Sequence, residues 1–139
     1  MIICDTSGLL AAYTAGEQHQ ERVIELLKDD PGPLVLSPFV LAELDYMVHQ
    51  RAGLGHELNV LSDVAQGVYN LADFSRSDIG DAAAVVGRYA DMRIGLADAS
   101  IVVLAARYQT TRLLTFDERR FRAIKPLHAE AFTILPADC

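Results

Sequence analysis

Short apolar runs alternating with stretches of helical periodicity predict an α/β domain with a mostly parallel sheet. Three observations carry that reading. Apolar runs too short for helices occur at Ile2-Ile3-Cys4, Leu34-Val35-Leu36 and Leu113-Leu114. The segments between them space their apolar residues in three- and four-residue steps. Finally, 139 residues, 51% hydrophobic and 22% charged, suffice for one cored domain, and no Ser/Gly linker, repeat or low-complexity tract divides 1–139.

Taken in order, a strand over Met1–Cys4 leads into a helix that opens at Thr6 or Ser7 and runs through Leu9, Leu10 and Tyr13. A second helix covers about Gln18–Lys28, with Val23, Ile24, Leu26 and Leu27 as its apolar face. Asp30-Pro31-Gly32-Pro33 is a turn, and Leu34–Leu36 a brief buried strand. Ser37 reads as an N-cap and Pro38 as the first helical residue of a helix towards Gln50. Gly53 and Gly55 punctuate before a helix through Leu58, Leu61 and Val64, and Val68–Leu71 reads as a strand. A helix capped by Ser77 runs to Tyr89. The segment Leu96–Tyr108 is apolar nearly all round, as a buried helix is. Arg112–Thr115 is a strand, Glu118–Phe121 a helical turn, and Phe132–Leu135 the last strand.

Composition excludes several classes. Two cysteines, Cys4 and Cys139, make no disulfide framework, so a reducing cytoplasm is the expected setting. No apolar run approaches the roughly 18 residues of a membrane span, and the first residues lack the pattern of a secretory signal. Phosphate-binding G-x-x-x-x-G-K-[ST] and G-x-G-x-x-G loops are missing, as is the G-x-S-x-G elbow of serine hydrolases. The four histidines, His19, His49, His56 and His128, show no zinc spacing and read as surface or structural.

The formal net charge of −7 argues at first against a nucleic-acid partner. The charge is uneven, however. Residues 1–100 hold 6 basic and 15 acidic side chains, whereas residues 101–139 hold 6 basic and 4 acidic. Arg112, Arg119, Arg120, Arg122 and Lys125 crowd the last third around Asp117.

In parallel sheets, ligands gather beyond the carboxyl ends of the strands. Asp5 directly follows the first strand, Glu43 lies in the helix after the second, and Asp117 comes just after Leu113-Leu114-Thr115. Asp98 enters the apolar helix that precedes that strand. Singly, each Asp could cap a helix or favour its dipole, and Glu43 could be a solvated side chain. Together, carboxylates converging on one place repel unless a cation sits among them. Hard oxygen donors of this kind suit Mg²⁺ or Mn²⁺, which can polarise a phosphodiester and activate a water.

These residues bring a resemblance into view. Asp5-Thr6-Ser7 after an apolar strand, Ser-Pro-x-x-x-x-Glu from Ser37 to Glu43, Leu96-Ala97-Asp98-Ala99-Ser100-Ile101, and Leu114-Thr115-Phe116-Asp117 with Phe121 resemble the four acidic motifs of PIN-domain ribonucleases. In size and spacing the chain is most similar to the VapC toxins of bacterial type II toxin–antitoxin pairs. The resemblance implies a three-layer α/β/α fold around a mostly parallel five-stranded sheet, and Mg²⁺- or Mn²⁺-dependent endonucleolytic cleavage of RNA. It implies Asp5 and Asp98 as principal metal ligands, Glu43 and Asp117 completing the cluster, and Ser7 and Thr115 supporting it. It also implies a homodimer held inactive by a cognate antitoxin. Arg112, Arg119 and Arg120 are the candidate contacts to RNA phosphates. Alternatives are a non-catalytic PIN-like module that binds RNA or protein, a housekeeping nuclease, and a phosphatase or phospho-acceptor domain, which would leave Glu43 unexplained.

Overall fold

A computed structural model describes residues 1–139. Five short strands form one sheet: β1 (Ile2–Cys4), β2 (Leu34–Leu36), β3 (Asn70–Leu71), β4 (Arg112–Leu114) and β5 (Thr133–Leu135). Their order is β3-β2-β1-β4-β5 and every pairing is parallel. β1 is therefore central, with Ile3 in register with Val35 on one side and Leu113 on the other. All three residues of β1 are buried, so helices cover both faces of the sheet, and the strand is apolar throughout rather than alternating.

Seven helices supply that cover: α1 (Thr6–Tyr13), α2 (Gln20–Asp29), α3 (Pro38–Ala52), α4 (Leu54–Ala65), α5 (Arg76–Arg88), α6 (Leu96–Arg107) and α7 (Glu118–Ala123). α1 packs on α2 and α3, α3 also on α4 and α6, and α5 on α6. The run Ala99–Ala105 in α6 is wholly buried, apolar except for Ser100, whose hydroxyl donates to the Ala97 carbonyl oxygen. Its apolar residues and the buried residues of β1, β2, β4 and β5 belong to a continuous core of 31 buried residues. Cys4 lies in that core, where burial pushes its thiol up to about 12.

Local chemistry sets the boundaries. Ser37 Oγ accepts from the N–H groups of Phe39 and Val40, and Pro38 occupies the first helical position of α3. Gly53 ends α3 and admits α4 with a φ of 86°, a left-handed value that glycine adopts without strain. The cap of α5 is Ser75 and not Ser77. Ser75 Oγ accepts from the Asp78 N–H while Asp78 accepts from the Ser75 N–H, a reciprocal box that starts the helix two residues earlier. The strand expected over Val68–Leu71 shortens to β3, and a single 3-10 turn at Ala90–Met92 precedes α6. No helix is long and apolar enough to cross a membrane.

Candidate active site

The parallel sheet aims all its carboxyl ends at one edge, and Asp5 stands there at the middle. Its N–H donates to the Leu114 carbonyl oxygen at 2.9 Å, locking it to β4. One carboxylate oxygen, Oδ2, accepts from Thr115 Oγ1 at 2.7 Å and from Ser7 Oγ at 2.9 Å. Ser7 Oγ in turn accepts the Phe116 N–H at 2.9 Å, and Thr115 Oγ1 accepts the Asp117 N–H at 3.0 Å. The two hydroxyls thus hold the carboxylate and shape the β4–α7 loop at once. Asp5 is only 7% exposed. Burial pushes its carboxyl above the ordinary range and the charge of Glu43 adds to this, while the donors from Thr115, Ser7 and the Thr6 N–H oppose it.

Asp98 sits in the first turn of α6. Its Oδ2 accepts the Gly95 N–H at 3.4 Å and Arg120 Nη1 at 2.7 Å. Burial raises its pKa, the Arg120 charge opposes the rise, and Asp5 and Glu43 reinforce it. Asp117 caps α7 by accepting the Arg120 N–H, and Arg120 Nε stands 3.5 Å from its other oxygen. Glu43 is exposed on α3 at the mouth. The position of α3 relative to α6 is set by a buried contact between Ser37 Oγ and Ser100 Oγ at 2.6 Å. Both serines belong to the acidic motifs, and this contact joins the helices that carry Glu43 and Asp98.

Asp5, Glu43, Asp98 and Asp117 line one open cavity of about 280 Å³. No three acidic, His or Cys side chains close tightly enough to enclose an ion by themselves, and Arg120 spans Asp98 and Asp117. The donor set still fits a hard divalent cation. All its donors are carboxylate oxygens, and Mg²⁺ takes one or two of them and completes its shell with water and phosphate. A cation would also relieve the like-charge strain that Asp5, Asp98 and Glu43 impose on one another.

The basic residues divide. Arg120 lines the cavity, and Arg119 is exposed in an adjoining cavity of about 390 Å³ that shares Asp117 and Arg120. Arg112 is not brought to the site. It opens β4, at the amino-terminal edge of the sheet, and its guanidinium pairs with Asp30. Arg122 is engaged by Glu118 and Asp138. Sequence reasoning missed Arg51, which lines the acidic cavity. Its signal was available: Glu43, Met47 and Arg51 succeed one another at four-residue steps on α3, and all three line that cavity. Also missed was His19, whose ring stacks on Phe116 at the cavity wall, with centroids 4.4 Å apart and planes 15° from parallel. His19 lies at the start of the helix expected over Gln18–Lys28, where nothing in the sequence sets it apart from a surface residue.

Comparison with known proteins agrees with this geometry. The PIN domain family matches residues 2–126. Ribonuclease VapC26 of Mycobacterium tuberculosis is 45% identical over 135 residues, which cover 97% of this chain and all of that protein. The fold is similar to the crystal structure of VapC20 of Mycobacterium tuberculosis, a sarcin-ricin loop cleaving toxin. There the TM-score is 0.83 at 18% identity, covering 94% of this chain and 99% of the other. VapBC2 from Rickettsia felis, bound to a DNA fragment from its promoter, gives a TM-score of 0.64 at 24% identity over 91% of this chain and 96% of that one. At such identities the two structures speak to the fold alone.

Proposed function

The chain belongs to the PIN domain family, and from that premise we propose that it is a Mg²⁺- or Mn²⁺-dependent endoribonuclease, the toxin of a type II toxin–antitoxin pair. The observation that carries this reading is the convergence of Asp5, Glu43, Asp98 and Asp117 on one open cavity at the carboxyl edge of the sheet. The 45% identity to a VapC ribonuclease along nearly the whole chain supports the toxin assignment.

Asp5 and Asp98 are the principal ligands and Glu43 and Asp117 complete the set. When bound, the divalent cation would polarise the phosphodiester and lower the pKa of an attacking water. The chain's own residues do the positioning. Ser7 and Thr115 orient Asp5 through the two short hydrogen bonds to Oδ2. Arg120 balances the charge of Asp98 and Asp117, and Arg51 and Arg119 hold phosphates along the strand. Exposed Tyr46, Leu54 and Leu58 on α3 and α4 leave apolar surface for protein partners, the antitoxin and a second copy in a homodimer. One domain, 1–139, carries all of this in the cytoplasm, where its RNA and antitoxin are made.

Purified protein is expected to cleave RNA with Mg²⁺ or Mn²⁺, to stop in EDTA, and to lose at least about a hundredfold with Asp98→Asn, the scale of a removed group acting in the transition state. Cleavage that survives both treatments sinks the mechanism. Expression alone should arrest growth and co-expression of the antitoxin should relieve it; harmless expression of an RNA-cleaving protein would indicate a housekeeping nuclease.

A further inference from the structure

Two aromatic rings on the wall of the acidic cavity have no part in the chemistry above. Phe116 lies between Thr115 and Asp117 in the β4–α7 loop, and its N–H is held by Ser7 Oγ, the same hydroxyl that donates to Asp5. The Phe116 backbone is therefore tied to the Asp5 carboxylate through a single side chain. His19 comes from the connection between α1 and α2. It stands at the start of α2 yet its side chain does not cap that helix, and its ring lies flat on Phe116 instead. Both rings are only half-buried and both line the cavity that holds the four carboxylates, with Arg51 on the same lining.

We infer that the His19–Phe116 stack is a seat for an unpaired nucleobase of the RNA strand, next to the phosphate placed at the acids. The inference rests on the ribonuclease reading and adds to it the pair of residues that would hold a base beside the acids. A flat pair of rings beside a phosphate site offers a third ring a stacking surface without reading its edge, so it selects single-stranded or looped RNA and tolerates any base. A base inside a duplex is stacked on both faces already and has no ring face to offer. The seat therefore rejects uninterrupted double-stranded RNA.

The test uses the full chain and a twelve-nucleotide single-stranded RNA containing 2-aminopurine, read in EDTA and, within the mixing time, in Mg²⁺. The same strand annealed to its complement is the control. Wild-type protein is expected to quench the single-stranded probe and leave the duplex unquenched. His19→Ala and Phe116→Leu should weaken binding about five- to a hundredfold and lose the quench, which is the range for removing one base-stacking side chain. His19→Phe should restore both. His19→Ala with a melting temperature near that of wild type excludes a mere folding defect, should Phe116→Leu be unstable. Equal binding and quenching by His19→Ala, or an equally quenched duplex, overturns the seat while Mg²⁺-dependent cleavage by wild type leaves the nuclease reading standing. Wild-type protein that neither binds nor cleaves RNA overturns both.

Discussion

Asp5 carries its charge where burial disfavours it, and only two hydroxyls and a backbone N–H compensate. Its folded pKa lies above the unfolded value of about 3.9, so the folded chain holds that proton more tightly than the unfolded one. Stability in EDTA consequently falls as pH rises from about 4 through the raised value, and the penalty is absent below the unfolded pKa. Asp5→Asn, neutral throughout, should exceed wild type at pH 7 by about 0.5–2 kcal/mol, the usual scale of stability forgone at a functional site. The advantage should fade towards pH 3. Urea melts at the two pH values read it, and an Asn variant no more stable at pH 7 contradicts the account. Mg²⁺ should stabilise wild type more at pH 8 than at pH 5, and should do little for Asp5→Asn.

Between elements, the closest approach that matters is α1 against β4. A Cβ on Gly8 would stand 2.6 Å from both the Leu114 side chain and its carbonyl oxygen, so only glycine lets Ser7 and Thr115 meet across that gap. Gly8→Ala should cost about 1–3 kcal/mol, as overpacking does, and should lower cleavage by prising Ser7 from Thr115. Gly80→Ala in α5, where a Cβ meets nothing, should instead stabilise by about 0.5–1 kcal/mol. Thermal melts of both variants check the contrast. The same scale shows what could be read from sequence. β1, β2 and β4 are legible because a buried parallel strand is apolar on both faces, and an acid just past it falls at the functional edge. The α5 cap was not, because Ser75 and Ser77 both satisfy the capping rule and only the Asp78 partnership chooses between them. Arg112 misled because nearness to Asp117 in sequence conceals which end of a strand a side chain occupies. His19 fell at the start of the helix expected over Gln18–Lys28, but its place at the cavity depends on the α1–α2 connection packing against the β4–α7 loop.

At the scale of the molecule, an acidic chain can handle RNA only by placing its few free cations well. Arg51 and Arg119 are exposed at the two adjoining cavities, whereas Arg112 and Arg122 are tied to carboxylates. Arg51→Ala and Arg119→Ala should each flatten the salt dependence of single-stranded RNA binding by about 0.7 in the log–log slope, one phosphate contact apiece. Arg112→Ala should leave it unchanged. Unaltered slopes for the first pair would remove them from the interface. The central place of β1 has a consequence for biosynthesis. Asp5 takes its hydroxyl from Thr115, 110 residues further on, and β1 cannot pair with β4 until that stretch has left the ribosome. A chain in mid-translation carries Asp5 and Glu43 without Asp98, Asp117 or the Thr115 hydroxyl, so the acidic cavity is completed only near the end of synthesis.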